Sequence, residues 1–110
     1  MNVRNIIFRR EQDGPVEREF KRRLIRCFSL NSPVTLAFLA RVSYQGAEQE
    51  NVALCLKDGN EMASKIALCV GEVFRAMFSQ TQNLDILFLE DYQVKEIMAV
   101  ATPFYQSVKA

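Results

Sequence analysis

The sequence predicts an α+β domain spanning residues 1–110, with helices on one face of a four-stranded, mainly antiparallel sheet. Apolar residues change their spacing along the chain, from steps of three or four to steps of two and back, which is typical of alternating helices and strands. In order, these segments give β-α-β-β-α-β-α, and the first six match a split β-α-β motif. With 110 residues, of which 49% are hydrophobic, the chain is long enough to bury one such core.

The first half of the chain contains a strand, a helix and a second strand. An apolar run at residues 6–8 indicates the first strand, and Pro15 suits the first position of a helix, where no backbone N–H is needed. Apolar residues of this helix recur at steps of three or four, and we expect it to end at Asn31 and Ser32. Residues 34–44 then alternate between a strongly apolar face and a half-polar one, which predicts a long strand.

The second half completes the pattern. A polar turn at residues 45–50 leads to a strand at residues 52–57, so the two strands form a hairpin. Asn60 is a suitable N-cap for a helix whose apolar stripe runs to Met77. Residues 84–89 form a nearly continuous apolar run, as expected for a strand buried on both faces. A third helix starts at Glu90 and stops before Pro103.

One face of the predicted sheet carries more apolar surface than is usually left in water. Either the last helix folds across this face together with the following tail, or a second chain covers it. The second alternative would make the domain a homodimer or a docking site for another protein. The candidate interface residues are Ala37, Leu39, Ala53, Cys55, Phe104 and Tyr105.

The first helix is rich in cations. Residues 1–30 contain eight Lys and Arg against four Asp and Glu, although the whole chain has a net charge of only +1. Helical spacing brings four cations to the outer face, and these are the candidate anion-binding residues: Arg18, Lys21, Arg22 and Arg26. The alternative is a solvated face balanced by acidic neighbours. RNA-binding domains share this order of elements, but the third strand lacks the aromatic residues on which they stack bases, so nucleic acid is not favoured.

Catalytic and cofactor motifs are missing from the sequence. The chain has no histidine, no phosphate-binding glycine loop and no CxxC pair, so we assign no catalytic residue, metal ligand or cofactor site and expect a protein that is not an enzyme. The three cysteines are expected to be reduced core residues. There is no apolar run of about 18 residues and no long apolar start, so we expect a cytoplasmic protein with no membrane partner.

Small-molecule binding is the main alternative to a protein-interaction role. Regulatory domains that sense amino acids use this order of elements and hold the ligand through backbone groups at loops and strand edges. That mode of binding leaves little trace in a sequence, so the alternative rests on analogy of fold.

Two short motifs carry a resemblance to a known family. Residues 34–40 read V-T-L-A-F-L-A, which has the form V-x-x-A-[FY]-L-A, and Pro103, Phe104 and Tyr105 follow an amphipathic helix. Together with the strand, Asp-Gly turn, long helix and strand between them, this series resembles the C-terminal domain of the bacterial enhanced serine sensitivity protein (SseB) family, from about Pro15 onward. The resemblance implies a bacterial cytoplasmic protein without an established catalytic activity, often preceded by another domain, and it assigns no functional residue.

Overall fold

The elements follow the predicted order, with a short fifth strand added, among the residues that the computed structural model describes, 5–29, 33–45 and 47–107. The strands are β1 (Ile6–Glu11), β2 (Leu36–Tyr44), β3 (Asn51–Lys57), β4 (Asp85–Leu89) and β5 (Tyr105–Gln106). The helices are α1 (Pro15–Ser29), α2 (Ala63–Met77) and α3 (Asp91–Met98), and a turn of 3-10 helix at Asn60–Met62 precedes α2. The helix end predicted at Asn31 and Ser32, and Gly46 of the predicted turn, lie outside the described residues.

The sheet differs from the prediction in the order and direction of its strands. The strands lie in the sheet in the same order as in the chain, β1-β2-β3-β4. The split motif requires a strand between its two parallel strands, and among the described strands none separates the parallel pair. The hairpin pair β2–β3 is antiparallel, as expected. β1 and β2 are also antiparallel, although the split motif would make them parallel, and β3 and β4 are parallel, so the sheet is mixed. Parallel neighbours need a crossover connection, and α2 supplies it. The apolar run that predicts β4 carries no information on strand direction.

The fifth strand completes one edge of β2. β1 pairs with the second half of β2, from Ala40 to Tyr44, while β5 pairs with Leu36 and Ala37. Between them, Gln12 donates its backbone N–H to the carbonyl of Leu39 at 2.9 Å. The backbone of β2 is therefore satisfied along this edge by two separate segments, β1 with the adjoining Gln12, and β5.

The register of the hairpin places the candidate interface residues on two opposite faces. Ala37 lies opposite Leu56, and Leu39 lies opposite Leu54. Because residues directly opposite each other share a face, Ala37 and Leu39 do not share a face with Cys55. The predicted grouping is wrong because a shift of one residue in pairing moves every side chain of a strand to the other face, and the turn sequence does not determine that shift.

Both faces of the sheet are covered by helices, so the expectation of helices on one face is wrong. One core lies beneath α1 and α2 and contains Phe20, Leu24 and Phe28 of α1, all at most 2% exposed. The other core lies beneath α3, where Ile97 is fully buried and packs with Ala101 and residues of β2, β3 and β4. Of the two alternatives for the second face, coverage by the last helix is confirmed, but Phe104 and Tyr105 of the tail pack against the other core, beneath α1 and α2.

A disulfide joins α1 to α2. The sulfur atoms of Cys27 and Cys69 are bonded, with the two Cα atoms 5.9 Å apart. The expectation of three reduced cysteines is therefore wrong for this pair, which meets because α1 and α2 lie side by side on the same face. Cys55 is a free thiol in the core, as expected, and burial raises its pKa to about 12. Since the thiolate is the reactive form, Cys55 is chemically inert in the folded protein.

The turn between β3 and α2 requires glycine at position 59. Its φ is +97°, and an added Cβ would lie 2.8 Å from Cγ2 of Val34. We expect Gly59→Ala to lower the free energy of unfolding by about 2 kcal/mol, measured by urea denaturation. Gly71→Ala is the control, because its Cβ would meet only the flexible end of Arg75 and alanine favours the helix by up to about 1 kcal/mol. Equal effects of the two substitutions would contradict this account of the turn.

Candidate functional site

The four strand residues of the predicted interface lie inside the chain's own core. Ala37 and Leu39 are 0% and 2% exposed beneath α1 and α2. Ala53 and Cys55 are fully buried beneath α3. None of these four side chains is on the surface, so they offer no docking face while the helices are in place.

The tail residues of the predicted interface pack against α1. Phe104 donates its backbone N–H to the carbonyl of Ala37 at 2.9 Å, which starts the pairing of β5 with β2. The Tyr105 hydroxyl donates to the carbonyl of Phe28 at 3.3 Å, and the two rings lie 5.4 Å apart. Both tail side chains are half-buried, so their contacts are those of a segment that seals the core.

Two of the four candidate anion-binding residues are engaged near the start of α1. Arg18 donates two hydrogen bonds to Asp13, at 3.3 and 3.2 Å, and this hydrogen bonding is the main cause of a lowered Asp13 pKa. Lys21 is 8% exposed, so the expectation that it lies on the outer face is wrong. Its Nζ lies 3.1 Å from Glu11 and 3.6 Å from Asp13, between β1 and α1.

The other two candidate anion-binding residues, Arg22 and Arg26, lie further along α1. Arg22 and Arg23 both donate hydrogen bonds to Glu19, at 2.6 and 2.7 Å. These bonds lower the Glu19 pKa to about 2, and the bond from Arg22 has the larger effect. Arg26 is exposed and forms no ion pair with any described residue. An anion that bound to this helix would compete with carboxylates for Arg18, Lys21 and Arg22, and anion binding here stays a prediction.

The outer edge of β4 is an open edge of the sheet. β4 is the last strand of the sheet and pairs only with β3 among the described residues. Its one charged residue, Asp85, accepts a hydrogen bond of 2.6 Å from the Tyr44 hydroxyl of β2. Burial, reinforced by this bond, raises the pKa of Tyr44. The Asp85 charge is thus engaged on the α3 face of the sheet.

A shallow groove runs beside this edge on the α2 face. It is lined on the helix by Ala67, Val70, Gly71 and Phe74, and on the strand side by Leu84 and Ile86. Two of the helix residues, Ala67 and Gly71, have small side chains or none. We name this edge and its groove the β4 edge.

The opposite edge of the sheet has features that hinder pairing. β1 has an irregular register between Phe8 and Arg10, and Arg9 and Arg10 are both exposed. Bulges and exposed charges are the usual protection of edge strands against association. The β4 edge has neither a recorded irregularity nor an exposed charge along its strand.

The β4 edge was not found from the sequence. The apolar run at residues 84–89 predicts a strand buried on both faces, and such strands are usually central in a sheet. One feature of the sequence did point to an edge position for this strand. No further strand is predicted between residues 84–89 and the third helix, so this strand is a candidate for the end of the sheet.

These features define a small α+β domain with a mixed sheet between helical layers and one unprotected edge strand. The profile of the family described as SseB protein C-terminal domain matches residues 11–107, so the chain belongs to this family. This confirms the resemblance that the two motifs indicate. Searches of curated proteins and of solved structures each return no match. Within the described residues, no helix is long and apolar enough to cross a membrane.

Proposed function

We propose that this chain is a non-catalytic assembly module in which two copies join through their β4 edges. The observation that carries the proposal is the contrast between the two ends of the sheet. β1 is protected by exposed arginines and an irregular register, whereas β4 is regular and apolar. An exposed, regular and apolar edge is a template for pairing with another strand.

A second copy fits this edge by charge and shape. Antiparallel pairing centred on Leu87 would place Ile86 opposite Phe88 on one face, and Asp85 opposite Leu89 on the other. No like charges would then face each other across the pair, an arrangement that would be destabilising. The small residues Ala67 and Gly71 would let the α2 helices of the two copies approach above the joined sheet.

We also propose the cytoplasm as the compartment, as the family resemblance implies. Cytosolic thiols are kept reduced, so Cys27 and Cys69 would there be a dithiol for much of the time. Neither cysteine lies on β4 or on its groove, so pairing through the β4 edge does not depend on the disulfide.

The test is the mass in solution, measured by light scattering on a sizing column at several concentrations. We expect twice the chain mass of 12.6 kDa for the wild type. Ile86→Lys puts an unpaired charge into the joined edge, and Ala67→Arg blocks the approach of the helices from an exposed position. Each should raise the dissociation constant of the dimer at least about tenfold.

Ile7→Lys is the matched control, because Ile7 is 46% exposed on the opposite edge strand. It should leave the dimer intact. Thermal unfolding would establish that every variant is folded. If Ile86→Lys does not fold, Ala67→Arg still tests the interface. A wild type that stays monomeric at all concentrations, or a dimer that only Ile7→Lys disrupts, would rule out the β4 edge as the interface.

A further inference from the structure

A cleft with an aromatic floor opens between α1, the end of α2 and the loop before β4. It has a volume of about 100 Å³. The rings of Phe20, Phe74 and Phe78 line it, with Phe20 edge-on to both others and the last two stacked 4.9 Å apart. The floor therefore presents aromatic surface that is held in a fixed arrangement by mutual contacts.

The rim of the cleft is polar and carries one formal charge. Glu17 lies there, and Gln12 donates a hydrogen bond of 2.8 Å to its carboxylate. The oxygen of the Gln12 amide accepts a hydrogen bond from Arg41 at 3.1 Å, which fixes the orientation of the amide. Asn83, on the far side of the rim, is exposed. Glu17 itself forms no ion pair with any described residue.

The charges of the residues that line the cleft favour cationic ligands over anionic ones. No lysine or arginine is among the described residues that line the cleft, so a carboxylate or phosphate would have no counter-charge there. A cation would have both the Glu17 carboxylate and the electron-rich faces of the phenylalanine rings. Size sets a second limit, because the cleft, at about 100 Å³, is smaller than an apolar cavity of about 150 Å³ that holds benzene.

We propose that this cleft binds a small organic ammonium ion, with the ammonium group at Glu17 and a short hydrocarbon chain on the phenylalanine rings. This narrows the small-metabolite alternative, since an amino acid would bring a carboxylate for which the lining has no partner. The inference goes beyond the assembly function. Glu17 and Phe20 lie outside the β4 edge, whereas Phe74, Asn83 and Leu84 line both the cleft and the groove of that edge.

The test compares three probes of matched length: butylammonium chloride, sodium butyrate and 1-butanol. Each is titrated into isotopically labelled protein, and saturable shifts are followed at the phenylalanine ring protons and the amide of Leu84. We expect butylammonium to bind most tightly. Glu17→Gln should weaken its binding at least about tenfold and remove the preference over butanol. Glutamine is also tolerated at the third position of a helix, so this variant keeps its fold.

Glu72→Gln serves as the control, because Glu72 is exposed on α2 and does not line the cleft. It should bind butylammonium as the wild type does. Three results would overturn the proposal: no saturable shift with butylammonium, binding of butyrate as tight as that of butylammonium, or unchanged binding in Glu17→Gln. Light scattering in the same samples reports dimerisation separately, so a loss of butylammonium binding and a loss of the dimer are distinguished.

Discussion

Leu39→Glu should unfold the domain at room temperature. Leu39 is 2% exposed and packs in the core beneath α1 and α2. Removing a buried leucine side chain costs about 2–5 kcal/mol, and a carboxylate at the same place adds several kcal/mol of desolvation with no cation in that core to offset it. The sum is comparable with the whole stability of a typical domain, which is about 5–15 kcal/mol. Circular dichroism and urea unfolding measure the loss directly.

Leu68→Glu is the matched control. Leu68 is 66% exposed on α2, so the same substitution there should change the free energy of unfolding by no more than about 0.5 kcal/mol. If Leu39→Glu instead folded and melted like the wild type, Leu39 would have to face solvent. That result would restore the open sheet face expected from the sequence and would contradict the register observed here.

The periodicity of the sequence predicts elements well where one face of an element is buried. The stripe of α1 that contains Phe20, Leu24 and Phe28 is buried as predicted, because a spacing of three or four residues marks one side of a helix. The apolar run of β4 is also found as a strand, because a short run bounded by polar residues is too short for a helix. Local patterns were sufficient for these elements.

The arrangement of the strands depends on contacts between distant segments, and the sequence does not determine it. Leu39 pairs with Leu54, and Leu54 pairs with Ile86, across an antiparallel and a parallel ladder respectively. Each strand taken alone shows only which residues alternate. Which alternate set faces α1 is fixed by the register between strands. A single wrong choice placed Ala37 and Leu39, which lie beneath α1 and α2, on the same face as Ala53 and Cys55, which lie beneath α3.

Local sequence patterns do not predict the candidate sites either, because the residues of each site come from distant segments of the chain. The cleft brings Glu17 and Phe20 of α1 together with Phe74 of α2 and Asn83 of the following loop. Its polar and aromatic residues each have an ordinary local explanation, as a residue of the first helical turn, a core side chain or part of a loop. Their shared position, and the lack of a cation among them, is a property of the tertiary structure alone.

Replacing Cys27 and Cys69 together by serine should lower the stability of the domain by about 4 kcal/mol. The bond closes a segment of the chain whose ends are 42 residues apart, and most of its effect is to restrict the unfolded chain. For a domain of this size, the melting temperature should fall by about 15–25 °C. Thermal unfolding of the wild type with and without reductant should give the same difference, while the double variant should not respond to reductant.

Thiol counting distinguishes this bond from two nearby reduced cysteines. Protein purified without reductant should show no reactive thiol when folded, because Cys55 is buried and its pKa is raised to about 12. After unfolding it should show one thiol, from Cys55, and a count of three would contradict the disulfide. Trapping thiols at the moment of cell lysis measures how far the bond is formed in the cell. A largely reduced pair would mean that the working domain lacks this stabilisation and relies on the packing of α1 and α2 and on any second copy joined at β4.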